Sequence, residues 1–183
     1  MFSAIVDWIV QLSELTSEMR GNKAVLKDTL NEILSIVTEP VIAGGFAVAH
    51  YTRPAETADL DVIGLKNIAS YSTSLKAFGY SQETIRLENG ITLESFTKGK
   101  HTRFEEGIDF MWFKDEAFEQ QVIARALPSK MLGKPVKIIS IEDLIVMKSL
   151  SSRTKDKAHL EELQKKPHDK EYVIRCLGIL LKA

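Results

Sequence analysis

The sequence contains one cysteine, Cys176, which excludes an internal disulfide framework and any multi-cysteine zinc site. The cytoplasm is therefore the expected compartment. An excess of either charge is also missing, with 24 Lys and Arg against 25 Asp and Glu. That balance argues against a general nucleic-acid coat or a membrane-surface protein, and leaves only local basic patches for anion binding. No run approaches the roughly 20 uncharged apolar residues of a membrane span. The first residues, MFSAIVDWIVQLSEL, lack what a signal peptide needs: Asp7 interrupts the apolar stretch, no basic residue precedes it and no small-residue cleavage site follows. They are expected to start a mature chain as a helix, with Phe2, Ile5, Ile9 and Leu12 at helical spacing. Repeats, low-complexity tracts and linkers are absent, and His50, His101, His159 and His168 show no metal-ligand spacing. At 183 residues the chain fits one compact domain.

Against these absences, the patterning is clear. Residues 23–37 carry Leu26, Leu30, Ile33, Leu34 and Val37 on one helical face, and Pro40 closes that pattern. Val41, Ile42 and Ala43 then form a short strand entering Gly44-Gly45, followed by a short helix over 46–50. Residues 57–63 predict a second strand, 67–78 a helix stopped by Gly79, and 91–97 and 107–113 two more strands. A helix over 115–126, a Gly133-Lys134-Pro135 turn and a strand over 136–139 follow. Ser140 and Asp143 make an S-x-x-D capping box for the next helix, and two helices over 155–165 and 170–181 flank Pro167. The expected class is α/β (α+β), with a mixed sheet over about 24–139 and C-terminal helices over about 140–183.

Chemistry concentrates between Val41 and Gly64. A glycine pair where a strand meets a helix lets backbone amides approach a phosphate, although a tight turn needing positive φ has the same signature. Asp59 and Asp61 occupy alternate strand positions and so share one face. Either that face is solvated or a divalent cation relieves the repulsion, and Mg²⁺ or Mn²⁺ suits hard oxygen ligands. Asp109, set in the apolar run Gly107 to Phe113, needs a partner. A salt bridge would serve, as would convergence with the other two carboxylates around metal. Lys148 shares a helical face with Ile141, Leu144 and Ile145, where it either snorkels or points at a site. Arg53 is placed to bind phosphate or to bridge to Glu56. Lys98, Lys100 and Arg103 make a basic loop that is solvated or attracts an anion, and Cys176 lies in an apolar helix as a core thiol.

The combination Gly44-Gly45, Arg53, Thr57, Asp59-Leu60-Asp61 and the apolar-flanked Asp109 resembles the nucleotidyltransferase fold of the DNA polymerase β superfamily. More narrowly, GGFAVAHYTRPAETADLDV followed by ISIEDLIVMKSLSSRTKDKAHLEEL is similar to small bacterial nucleotidyltransferase-like proteins related to AbiEii-type toxins, over about residues 24–165. The resemblance implies that Gly44 and Gly45 receive a nucleoside triphosphate and that Asp59, Asp61 and Asp109 are catalytic carboxylates holding Mg²⁺ or Mn²⁺. It further implies that Lys148 and the 153–156 segment, with Arg153 and Lys155, contact nucleotide or acceptor. Two departures stand out: the interval from Gly45 to Asp59 is longer than in the compact polymerase-like motif, and Gly45 replaces the serine of the commoner Gly-Ser pair.

The expectation is an enzyme that moves a nucleoside monophosphate from a triphosphate to a hydroxyl acceptor: an RNA end, a protein or a small molecule. Toxin-like activity with an antitoxin protein as partner is the narrower form of this expectation. The alternative is a scaffold of the same fold that binds a nucleotide or protein without turnover.

Overall fold

The computed structural model describes residues 17–53, 57, 59–64, 68–86, 91–98 and 106–181. The helix expected over the first residues, together with Glu56, Lys100 and Arg103, lies outside them.

The described residues begin with α1 (Ser17–Ile36), then β1 (Val41–Ile42), α2 (Gly44–Tyr51), β2 (Leu60–Ile63) and α3 (Ile68–Ala77). Next come β3 (Ser81–Arg86), β4 (Ile91–Lys98), β5 (Glu106–Phe113) and α4 (Glu116–Arg125). They finish with β6 (Leu127–Met131), β7 (Lys134–Ile138), α5 (Ile141–Ser149), α6 (Thr154–Gln164) and α7 (Lys170–Leu180). The seven strands form one mixed sheet in the order β3-β4-β5-β2-β1-β7-β6. Pairing is parallel between β1 and β7 and between β2 and β5, and antiparallel elsewhere.

Strand alternation gives the sheet two unlike faces. Leu60, Val62, Ile108 and Phe110 are fully or almost fully buried and form one side. Tyr71 of α3 stacks on Phe110 with ring centroids 5.7 Å apart, and α1 packs on β2, β5 and α3. The residues between them, Asp61 and Asp109, project from the other side. There α5 packs against α2, α6 and α7.

The capping box at Ser140 forms as expected: its hydroxyl accepts from the Asp143 amide at 3.2 Å and donates to the Asp143 carboxylate at 2.6 Å. Asp143 is fully buried and also receives Tyr172 of α7 and Arg125 of α4, at 3.3 Å for the latter. A buried carboxylate with this many donors is satisfied, and it ties α4, α5 and α7 to one point.

Two strands were not expected. β3 (SQETIR) is polar in five of its six positions, so it lacks an apolar period; it is specified by pairing with β4 along an edge. β6 (LPSKM) starts Leu-Pro, normally a breaker, and is tolerated at the opposite edge, where the missing proline amide faces no partner. Among the described residues, no helix is long and apolar enough to cross a membrane.

Candidate active site

The site is a cleft of about 620 Å³ between the polar face of the sheet and the α5–α6 corner. Register places its acidic wall. Asp61 of β2 is the direct partner of Asp109 on the parallel strand β5, so both side chains leave the same face one strand apart. Asp59 sits on a bend just before β2 and is not within the strand. It reaches the same place because Gly107 has no side chain: a Cβ there would overlap the Asp59 carboxylate.

The glycine turn abuts this wall. Gly44 has φ of +54°, and a Cβ on it would collide with the Asp61 carboxylate. Both facts demand glycine. The Gly45 amide donates to Asp61 Oδ2 at 3.3 Å, while Ala43, the N-cap residue of α2, supplies no side-chain hydrogen bond. The start of α2 therefore keeps a positive end directed at the cleft.

Burial, with like charge beside it, raises the proton affinity of this wall. Burial, and then the neighbouring Asp109 charge, push the Asp61 carboxyl up to about 6. Asp109 is raised too, by burial and by Asp59, against the opposing pull of a hydrogen bond from Ser95 and the charge of Arg153. Ser95 is the register partner of Asp109 on β4.

The opposite wall is cationic and already partly neutralised. Lys148, with a side chain only 10% exposed, donates to Asp156 Oδ1. Arg153 Nε and Ser151 Oγ donate to Asp156 Oδ2 at 2.7 and 2.6 Å. Burial works to raise the Asp156 carboxyl, but these donors overcome it and hold it at about 2. Lys155 also lines the cleft. His159, one turn beyond Asp156, has a buried Nδ1 without a hydrogen-bond partner; burial and the charges of Lys148 and Lys155 lower its pKa against the opposing charge of Asp156.

Of the residues expected from sequence, Gly44, Gly45, Asp59, Asp61, Asp109, Lys148, Arg153 and Lys155 all line this cleft. Arg53 does not: it is exposed at the far end of α2, with its guanidinium 3.7 Å from Glu162 of α6. Lys98 pairs with Glu32 at 2.8 Å, away from the cleft. Sequence reasoning gave no role to Gly107, Ser95 or His159, and it reached Asp156 only as part of the 153–156 segment expected to contact nucleotide or acceptor, not as the partner of Lys148. For Asp156 a signal existed, since a lysine on an apolar helix face needs a counter-charge and Asp156 follows Lys148 by two helical turns of sequence. Gly107 and Ser95 owe their place to cross-strand register, which one strand read alone does not contain.

No group of three or more His, Cys, Asp or Glu forms a preformed metal cage among the described residues. The donor set still suits a hard divalent cation, because Mg²⁺ sites commonly use one or two carboxylates completed by water and substrate phosphates. Adjacent carboxylates whose proton affinity is raised by burial and by one another are what such an ion would relieve.

The fold and this cleft define a class: the chain has the nucleotidyltransferase fold. It is similar to a solution structure of the antibiotic-resistance factor ANT(2'')-Ia at 17% identity, covering 86% of this chain and 87% of that one with a TM-score of 0.50. A crystal structure of an antigenic nucleotidyltransferase-like protein from Paracoccidioides brasiliensis matches at 18% identity over 81% of this chain and 75% of that one, with a TM-score of 0.45. The model of a family described as nucleotidyl transferase of unknown function (DUF2204) matches residues 104–178, the span from β5 through most of α7. No curated protein matches the chain significantly.

Proposed function

We propose that the protein is a metal-dependent nucleotidyltransferase, moving a nucleoside monophosphate from a nucleoside triphosphate to an acceptor hydroxyl. The observation that carries this reading is the in-register pair Asp61 and Asp109, with Asp59 seated over Gly107, beside an uncapped helix start. Asp59, Asp61 and Asp109 would hold Mg²⁺ or Mn²⁺, which supplies charge neutralisation for the triphosphate.

The chain's own groups account for the remaining steps. The positive end of α2 at Gly44 and Gly45 draws the phosphates into the cleft. The acceptor oxygen attacks the α-phosphorus, the bond from that phosphorus to the bridging oxygen breaks, and pyrophosphate leaves. Asp109 accepts the acceptor's proton. Lys148, Arg153 and Lys155 face the charge that builds on the departing phosphates, with Asp156 holding the first two in place. The near-balance of charge favours an acceptor engaged locally, such as an RNA end or a small hydroxyl compound, over a long nucleic-acid footprint. A toxin role with an antitoxin partner is the narrower form of this reading and rests on the motif resemblance alone.

The test is to incubate the protein with each α-labelled nucleoside triphosphate, Mg²⁺ or Mn²⁺, and cell extract or total RNA. Transfer of label by the wild type, lost in Asp59→Ala and Asp61→Ala, supports the enzyme. Metal-independent nucleotide binding without transfer to any acceptor supports instead a binding scaffold of the same fold.

A further inference from the structure

The start of α2 is bare of polar side chains, since Ala43, Gly44 and Gly45 offer none. The space that a side chain at position 45 would fill is taken by Thr57. A Cβ built on Gly45 would lie 2.7 Å from both Cβ and Oγ1 of Thr57 and 3.0 Å from its Cγ2. A hydroxyl therefore stands at the mouth of the helix, delivered by the segment before β2 and not by the helix itself. Thr57 is half-buried and lines the same cleft as Gly44, Gly45 and Asp59. Its proton is weakly engaged, because the Asp59 carbonyl that it meets is 3.4 Å away, beyond a good O–H···O distance.

We propose that the Thr57 hydroxyl is a binding group for the non-transferred phosphates of the nucleotide, acting beside the amides of α2. The proposal rests on the nucleotidyltransferase reading and deepens it. A hydroxyl with a spare proton, next to the positive end of a helix and facing a cleft, matches a phosphoryl oxygen. The same geometry explains the glycine at 45: the hydroxyl and a side chain at that position exclude one another.

The experiment measures binding of inorganic triphosphate with Mg²⁺ by calorimetry, which removes any dependence on the base, with orthophosphate as the comparison. Thr57→Val, nearly equal in shape, is expected to bind triphosphate about tenfold more weakly, as for loss of a hydrogen bond to a charged group. Thr57→Ser should stay within about twofold of wild type. Moving the hydroxyl in Gly45→Ser/Thr57→Gly should recover most of the lost affinity; glycine is required at 57 because the Thr57 Cβ itself crowds position 45. Thermal melting confirms that each variant is folded. Equal triphosphate affinity in wild type and Thr57→Val, with metal-dependent binding in both, overturns this proposal and leaves the nucleotidyltransferase reading intact. A folded wild type that binds neither triphosphate nor any nucleoside triphosphate with Mg²⁺ overturns both.

Discussion

The two walls of the cleft are built on opposite principles. On the sheet, three carboxylates approach one another through backbone register and through space left by Gly44 and Gly107, with Asp61 pushed up to about 6. On the helices, Lys148 and Arg153 converge on a single carboxylate, Asp156, which is held at about 2. The first wall gathers like charge; the second is an internally matched ion cluster. Function and stability should therefore separate. Removing a charge from the sheet wall ought to cost activity but not folding, whereas removing Asp156 ought to cost folding and, through displaced cations, activity.

The largest effect is expected for Asp61→Asn in the label-transfer assay. Losing a ligand for the ion that supplies several kcal/mol of charge stabilisation should slow transfer by at least about a hundredfold. Its metal-free melting temperature should nevertheless equal or exceed the wild type's by about 1–3 °C, since a like-charge contact is relieved. A large fall in melting temperature would break the contrast between the walls.

Asp156→Ala is the counterpart. Leaving Lys148 buried without its partner should destabilise the protein by about 3 kcal/mol, or roughly 6–12 °C in melting temperature for a chain of this size. Unchanged melting would mean that the cations find water as readily as they find Asp156.

The pH dependence sharpens the same point. The Asp156 carboxyl is lower folded, at about 2, than its ordinary value of 3.8, so between those values the unfolded chain binds more protons. Its contribution is complete above the ordinary carboxylate range and is lost as pH falls toward 2. Chemical denaturation of wild type and Asp156→Asn should thus differ at neutral pH and converge in that acidic window; a constant gap would contradict the assignment. A smaller effect is expected at Ser95. Ser95→Ala should leave folding near wild type and lower transfer about two- to tenfold, by loosening Asp109, as the loss of a single hydrogen bond permits.

The walls also differ in how far the sequence disclosed them. Asp59-Leu60-Asp61 and Gly107-Ile108-Asp109 declare their side of the strand through period-two alternation, so the acidic wall was legible apart from its register. What alternation does not say is that β2 and β5 are parallel neighbours pairing Asp61 with Asp109, or that Asp59 stands before the strand. The cationic wall was read by resemblance: a lysine on an apolar face snorkels as readily as it enters a site. Arg53 illustrates the limit, since its place in the motif did not carry it into the cleft. The edge strands β3 and β6 were missed because edges need no apolar period, and their partners specify them.

The most direct measurement is Mn²⁺ binding followed by electron paramagnetic resonance, with and without a nucleoside triphosphate. The account predicts that the wild type binds Mn²⁺, that triphosphate tightens this binding, and that Asp61→Asn abolishes both effects while Asp156→Asn retains the ion. Equal Mn²⁺ binding by wild type and a folded Asp61→Asn would contradict the assignment of the sheet wall as the metal site.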